Sequence, residues 1–308
     1  MGIRWSFFIL FFVFFSPNLF FGQTYHRDLT KEKWTFAQDG KEDWHPALLP
    51  GVVHTDLLKN HLIPDPFYSD NESKVQWVEN ENWNYKTTFY VTEKELQRDH
   101  LELVFEGIDT FAKILLNGKE ILQTNNAFRT WKVDVRNQLF VGENRLEVKL
   151  LSSVKIGKAK AAELSYRLPE NERVFVRKPQ YQFGWDWGPR LVTSGIWKPV
   201  YINSWNTAQI QQVKHRQKIE KNKATLDFGI EINVEKEGDY QLFINQKPKN
   251  CYLKKGYNRV PFTYEIKKPK LWWTYDLGLP YLYTFDILLL KDQQKISTFQ
   301  QKIGLDLS

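Results

Sequence analysis

Large apolar and polar residues alternate along most of this chain. Trp83-Asn-Tyr-Lys-Thr-Thr-Phe-Tyr-Val91 shows the pattern clearly, and Leu101-Glu-Leu-Val-Phe-Glu106 repeats it. A period of two puts every second side chain on one face, so these runs predict half-buried strands. Residues 111–116 meet 119–122 across Asn117-Gly118, which predicts a type I′ hairpin because both central positions need positive φ. Residues 133–135, 144–150 and 197–202 continue the series, and a helix-like excursion covers about 153–168. After Ser204 the pattern restarts with 224–234, 239–245, 258–263 and 283–289, with turns at Gly238-Asp239 and Lys255-Gly256. The prediction is an all-β chain of two β-sandwiches, the second with immunoglobulin-like spacing. No low-complexity linker separates them, so direct packing is expected. Nowhere do strands alternate with helices, so a (β/α)₈ barrel of ~250 residues is not encoded in this stretch.

The first residues follow a different pattern. Arg4 precedes the apolar run Trp5-Ser-Phe-Phe-Ile-Leu-Phe-Phe-Val-Phe-Phe15, and Ser16-Pro17-Asn18 ends it. A positive start, a short apolar run and a polar break are the marks of a signal peptide, and the run is short for a membrane span. The expected organisation is a signal peptide at 1–22, a first sandwich at 23–205 and a second at 206–308. The expected location is secreted or periplasmic (lysosomal in a eukaryote), with membrane contact only through the transient signal. An uncleaved anchor is the alternative.

Composition excludes several functions. The 308 residues are 42% hydrophobic and 26% charged, as in a chain that folds around a core. The net charge of +7 comes from Lys and Arg interspersed with Asp and Glu, which argues against a nucleic-acid surface. The densest basic stretch, 155–167, reads as a solvated helix face. Cys251 is the only cysteine, so no internal disulfide forms, and the six His lack metal-ligand spacing. No metal or cofactor is expected. Aromatics reach 16% with 12 Trp. They serve either as β-sheet core or as flat platforms for the C–H faces of sugar rings.

The chemistry concentrates in Arg177-Lys-Pro-Gln-Tyr-Gln-Phe-Gly-Trp-Asp-Trp-Gly-Pro-Arg190. Gly184 and Gly188 flank Trp185-Asp186-Trp187, and glycine tolerates unusual φ while Pro189 sets the exit. The expectation is a constrained loop that aims one carboxylate and two indoles. Aromatic plus carboxylate suits a sugar: the rings stack and the carboxylate accepts from vicinal hydroxyls. Equally, the Trp residues could be core, with Asp186 capping local N–H groups. Composition leaves both readings open.

This segment, with Thr193-Ser-Gly-Ile-Trp-Lys-Pro199, resembles the β-mannosidases of glycoside hydrolase family two. Pro50-Gly-Val-Val-His-Thr-Asp-Leu-Leu58, Asp65-Pro-Phe-Tyr68, Trp83-Asn-Tyr-Lys86, Gly107-Ile-Asp-Thr110 and Leu116-Asn-Gly-Lys119 add to the resemblance, as do Pro269-Lys-Leu-Trp-Trp273 and Gly278-Leu-Pro-Tyr-Leu-Tyr283. The resemblance implies a jelly-roll (galactose-binding-like) domain, an immunoglobulin-like domain and a barrel in cis. It implies retaining exo-hydrolysis of terminal β-mannose, which needs two carboxyl groups ~5 Å apart. In the family both are barrel glutamates with no counterpart among these residues, so this stretch holds no catalytic residue and is expected to be inactive alone. Trp185, Asp186 and Trp187 would border the −1 subsite and contact the terminal mannose. Without a barrel, an apolar face is expected to meet solvent. A freestanding carbohydrate-binding module and a structural interaction domain are the competing readings.

Overall fold

The computed structural model describes residues 24–306, so the expected signal peptide lies outside the described residues. The first sandwich packs a six-stranded antiparallel sheet on a four-stranded one. The larger sheet runs His45–Ala47, Trp34–Gln38, Trp83–Val91, Gly142–Leu151, Phe111–Leu116 and Lys119–Asn125. The smaller runs Tyr25–Asp28, Val200–Trp205, His100–Phe105 and Trp131–Asp134. Alternation sets the inner face: Trp83, Tyr85, Phe89 and Val91 are buried on one strand, and Leu146, Val148 and Leu150 on its neighbour. At the expected hairpin, Asn117 and Gly118 have φ of 53° and 79°, as a type I′ turn requires. The basic excursion is a helix over Ser153–Ala162 with Lys155, Lys158 and Lys160 exposed.

The second sandwich pairs Ala208–Glu220, Lys223–Val234 and Gly256–Lys267 in one sheet. Its other sheet orders Lys247–Leu253, Gly238–Ile244, Leu282–Lys291 and Gln294–Gly304. Two strands that alternation did not predict show why it failed. Along Ala208–Glu220 a bulge between Ile210 and Gln212 puts buried Ile210 and Val213 three residues apart, which breaks the period of two. Gln294–Gly304 carries Gln or Lys at five of its eleven positions and buries only Ile296, Ser297 and Ile303.

His100–Phe105 is buried on both faces, and the second sandwich packs on it at the His100 end. His100 Nδ1 lies 2.8 Å from Glu235 Oε1 and its ring stacks on Trp205 at 4.0 Å. Lys236 pairs with Asp99 at 2.9 Å, and the Thr207 N–H donates to the same carboxylate. The two sandwiches therefore touch directly, each around its own apolar cluster.

Candidate functional site

The Trp185-Asp186-Trp187 segment forms the tip of a short hairpin rather than an open loop. Phe183–Trp185 pairs antiparallel with Gly188–Arg190, with Phe183 opposite Arg190 and Trp185 opposite Gly188. Asp186 and Trp187 therefore occupy the two turn positions. Gly184, at φ +90°, takes a conformation that side chains resist. Gly188 has no positive φ, and a Cβ there would meet nothing, so of the two flanking glycines only Gly184 is required by the backbone.

Both indoles face solvent: Trp185 is 46% and Trp187 83% exposed. They stack on each other with centroids 5.5 Å apart and planes 15° from parallel. The alternative that places them in the core therefore fails. Asp186 is exposed and has no hydrogen-bond or ion-pair partner among the described residues, so it does not cap the turn. Its acceptor oxygens are free for an external donor.

The hairpin is held from its base. The Arg190 guanidinium donates to both oxygens of Glu79, from Nη2 at 2.8 Å and Nε at 3.0 Å, and to Glu172 at 3.1 Å. The Arg190 N–H donates to Glu72 at 2.7 Å, and Gln76 Nε2 donates to the Arg190 carbonyl at 2.7 Å. A forked guanidinium on carboxylates fixes direction as well as distance. The Arg173 guanidinium lies over the Trp185 ring at 5.6 Å.

Beneath the hairpin, the scattered motifs converge. Asp109 and Gly195 exchange backbone hydrogen bonds, and Gly51 and Val53 donate to Ile196 and Ser194. A Cβ at Gly195 would come within 2.4 Å of the Gly51 carbonyl oxygen, so this glycine permits the approach of two chains. The Lys178 ammonium, wholly buried, pairs with Asp109 at 3.1 Å and donates to the Thr193 carbonyl at 2.5 Å. Gln182 Nε2 donates to Asp109 at 3.1 Å, and the Thr110 hydroxyl donates to the same carboxylate. His54 Nδ1 lies 2.9 Å from Thr193 Oγ1. Burial, reinforced by the Lys178 charge, pushes the His54 pKa down to about 4. Beside this cluster opens a mainly apolar cleft of about 370 Å³, walled by Leu58, Phe67, Tyr181, Leu191 and Trp197.

Sequence reasoning selected the residues of the hairpin tip but missed what holds them. Arg190 and Lys178 stand within the quoted motif, yet Glu79 lies 111 residues before Arg190 and Glu72 lies 118 before it. No spacing rule connects them.

A second exposed apolar region lies on the other sandwich. Tyr275, Leu277, Leu279 and Leu282 face solvent.

Comparison with known proteins now adds to this geometry. Residues 34–198 match the family model described as glycosyl hydrolase 2 galactose-binding domain-like, and residues 200–305 match glycosyl hydrolases family 2. The chain is 31% identical over 297 residues to Beta-mannosidase B of Emericella nidulans, covering 89% of this chain and 34% of that protein. Among solved structures it is similar to the beta-D-mannosidase of Dictyoglomus thermophilum, with TM-score 0.84 and 37% identity, covering 92% of this chain and 36% of that one. The exo-chitosanase of Amycolatopsis orientalis shares the fold at 18% identity, with TM-score 0.68, over 90% of this chain and 33% of its own. The chain thus spans about a third of the length of the curated relatives it matches.

Proposed function

The chain belongs to glycosyl hydrolase family 2, and from that premise we propose that its first sandwich supplies the sugar-contacting wall of a β-mannosidase. In this reading the protein hydrolyses terminal β-mannose from oligosaccharides or glycoconjugates. Trp185, Asp186 and Trp187 border the −1 subsite, and the two carboxyl groups of the retaining reaction come from a barrel in cis. The hairpin closes the pocket behind the terminal sugar, which favours exo action. Alone, the two sandwiches bind and orient but do not cleave, because positioning supplies neither nucleophile nor proton donor.

One observation carries the reading: a carboxylate without an internal partner shares the turn of a hairpin, pinned at its base, with two stacked, exposed indoles. A stable fold gains nothing from leaving this group unpaired and two indoles in water. A pyranose satisfies both, with hydroxyls to Asp186 and an apolar face to an indole. The names of the relatives supply the sugar: Beta-mannosidase B and beta-D-mannosidase.

The test is a titration of the chain with methyl β-D-mannoside, followed by the NMR signals of the indoles. Saturable perturbation of Trp185 and Trp187 is expected, and its loss in Asp186→Ala. A response that Asp186→Ala leaves intact sinks the contact. Export is proposed from the same apolar start, and a mature N-terminus still carrying that run would overturn it.

A further inference from the structure

We infer that the buried Asp109–Lys178 pair is the positioning device of the Trp185-Asp186-Trp187 hairpin, locking its two legs together so that the indoles stack and the carboxylate faces outward. Its value to function rests on the sugar-contact reading above. What the pair does to the hairpin stands on geometry alone.

The hairpin has only two paired positions, Phe183 with Arg190 and Trp185 with Gly188. An isolated two-stranded hairpin of any length is marginal in water, so the register must be imposed from below. The legs entering and leaving the tip run through Lys178 to Gln182 and through Leu191 to Thr193. Lys178 Nζ reaches the outgoing leg directly, donating to the Thr193 carbonyl. Asp109 reaches the incoming leg, accepting from Gln182 Nε2 on one oxygen while Lys178 occupies the other. The Leu191 N–H then donates to the Gln182 carbonyl at 3.0 Å and closes the ring of contacts. Asp109 is itself fixed to the sandwich by its paired backbone bonds with Gly195. The Arg190 clamp acts mainly in another direction: it ties the outgoing strand sideways to Glu72, Glu79 and Glu172 and reaches the incoming strand only through a long contact, from Nη1 to the Phe183 carbonyl at 3.4 Å.

Burial explains why a charged pair does this. Side-chain exposure is 0% for Lys178 and 4% for Asp109. Taking both charges out of water offsets most of their attraction, so apolar replacements of similar volume often leave stability unchanged or raised. What the pair adds is direction. An ammonium with several donors and a carboxylate with two acceptor edges can hold three segments at fixed angles, which an apolar contact cannot.

The test labels the protein with 5-fluorotryptophan and reads the fluorine NMR signals of Trp185 and Trp187, assigned by Trp→Phe variants. The Trp187 signal in Trp185→Phe defines the unstacked position. In Lys178→Met/Asp109→Asn, which leaves no charge unpaired, both signals are expected to move to unstacked positions. The other indoles should keep theirs, and melting should stay near wild type. A folded double variant with both stacked signals unchanged would overturn the inference. If that variant does not fold, Gln182→Met decides: it keeps the ion pair and removes the hydrogen bond by which Asp109 holds the tip end of the incoming leg. Movement of the two signals at wild-type melting temperature supports the inference, and unchanged signals overturn it. No sugar is present in these measurements. Failure of methyl β-D-mannoside to perturb the wild-type signals would sink the sugar reading and leave the positioning role standing.

Discussion

Of the regions that expose large aromatics, two are built on different principles. At the 185–187 tip, the indoles stack on each other and flank an unpaired carboxylate, above a root of charged and buried contacts. In the 273–282 segment, Tyr275 is 99% exposed and Leu277 and Leu279 stand free, but the one carboxylate, Asp276, accepts from the Thr274 hydroxyl at 2.8 Å. That segment is held by backbone contacts, Trp273 N–H to the Leu279 carbonyl and Trp272 N–H to the Leu305 carbonyl. Trp272 also lies against Gly304, where a Cβ would come within 2.9 Å of it. Exposed aromatic surface alone marks a place where something packs. A free acceptor held at a fixed angle beside it marks a place where a polar ligand is oriented.

The largest expected effect probes the root of the hairpin through pH. The folded-state pKa of His54, about 4, lies below its ordinary 6.5. The unfolded chain therefore takes up the proton first as pH falls. Stability from the neutral imidazole is fully present above pH 6.5 and is lost progressively toward pH 4, by about 3 kcal/mol in all. Burial raises the Asp56 pKa, which opposes part of this loss. Denaturant melts of wild type and His54→Gln between pH 7 and pH 4 isolate the histidine contribution. The wild type should lose more stability than the variant, and parallel curves would refute the assignment.

Asp186→Ala comes next. In a protein of the relatives' full length, kcat/KM for a β-mannoside should fall roughly ten- to hundred-fold, about 2 kcal/mol, the magnitude of charge-assisted hydrogen bonds that strengthen in the transition state. Melting should not change, because Asp186 has no internal partner. Asp276→Ala should leave the same rate untouched. A lowered melting temperature with intact kcat/KM would reverse the contrast between the two regions.

Arg190→Met should destabilise by about 1.5 kcal/mol, a fall of about 3–6 °C in Tm. The side chain is partly exposed, which limits its worth, but Glu79 and Glu172 would lose their partner. Calorimetry reads this directly, and an unchanged Tm would mean that the clamp contributes geometry alone. The smallest effect belongs to the other region. Tyr275→Ser with Leu279→Ser should move stability by less than about 0.5 kcal/mol while reducing self-association in light scattering. Association unchanged by the pair would show that this surface is not where copies meet.

Much of the fold was legible because alternation is local. Trp83–Val91 shows its inner face in its own residues, and Asn117-Gly118 carries its turn type in two side chains. Illegible strands had lost the local signal. The bulge at Ile210 broke the period, and Gln294–Gly304 buries too few of its residues to show one; Leu101–Phe105 was legible as a strand, but not its burial on both faces. At the candidate site, the unusual density of Trp, Gly and Asp picked out 185–187. The open alternatives there, indoles in the core and a capping Asp186, were separated only by the tertiary structure.

The amino-acid sequence by itself determined the all-β character, the restart after Ser204 and the residues of the hairpin tip, because periodicity, turn chemistry and composition act over a few neighbouring positions. The tertiary structure alone decided that Asp186 is unpaired, that Arg190 meets Glu79 from 111 residues away and that Lys178 is buried against Asp109. Those contacts join segments distant along the chain. Their energy depends on dielectric and direction, which exist only once the sandwich has closed around them.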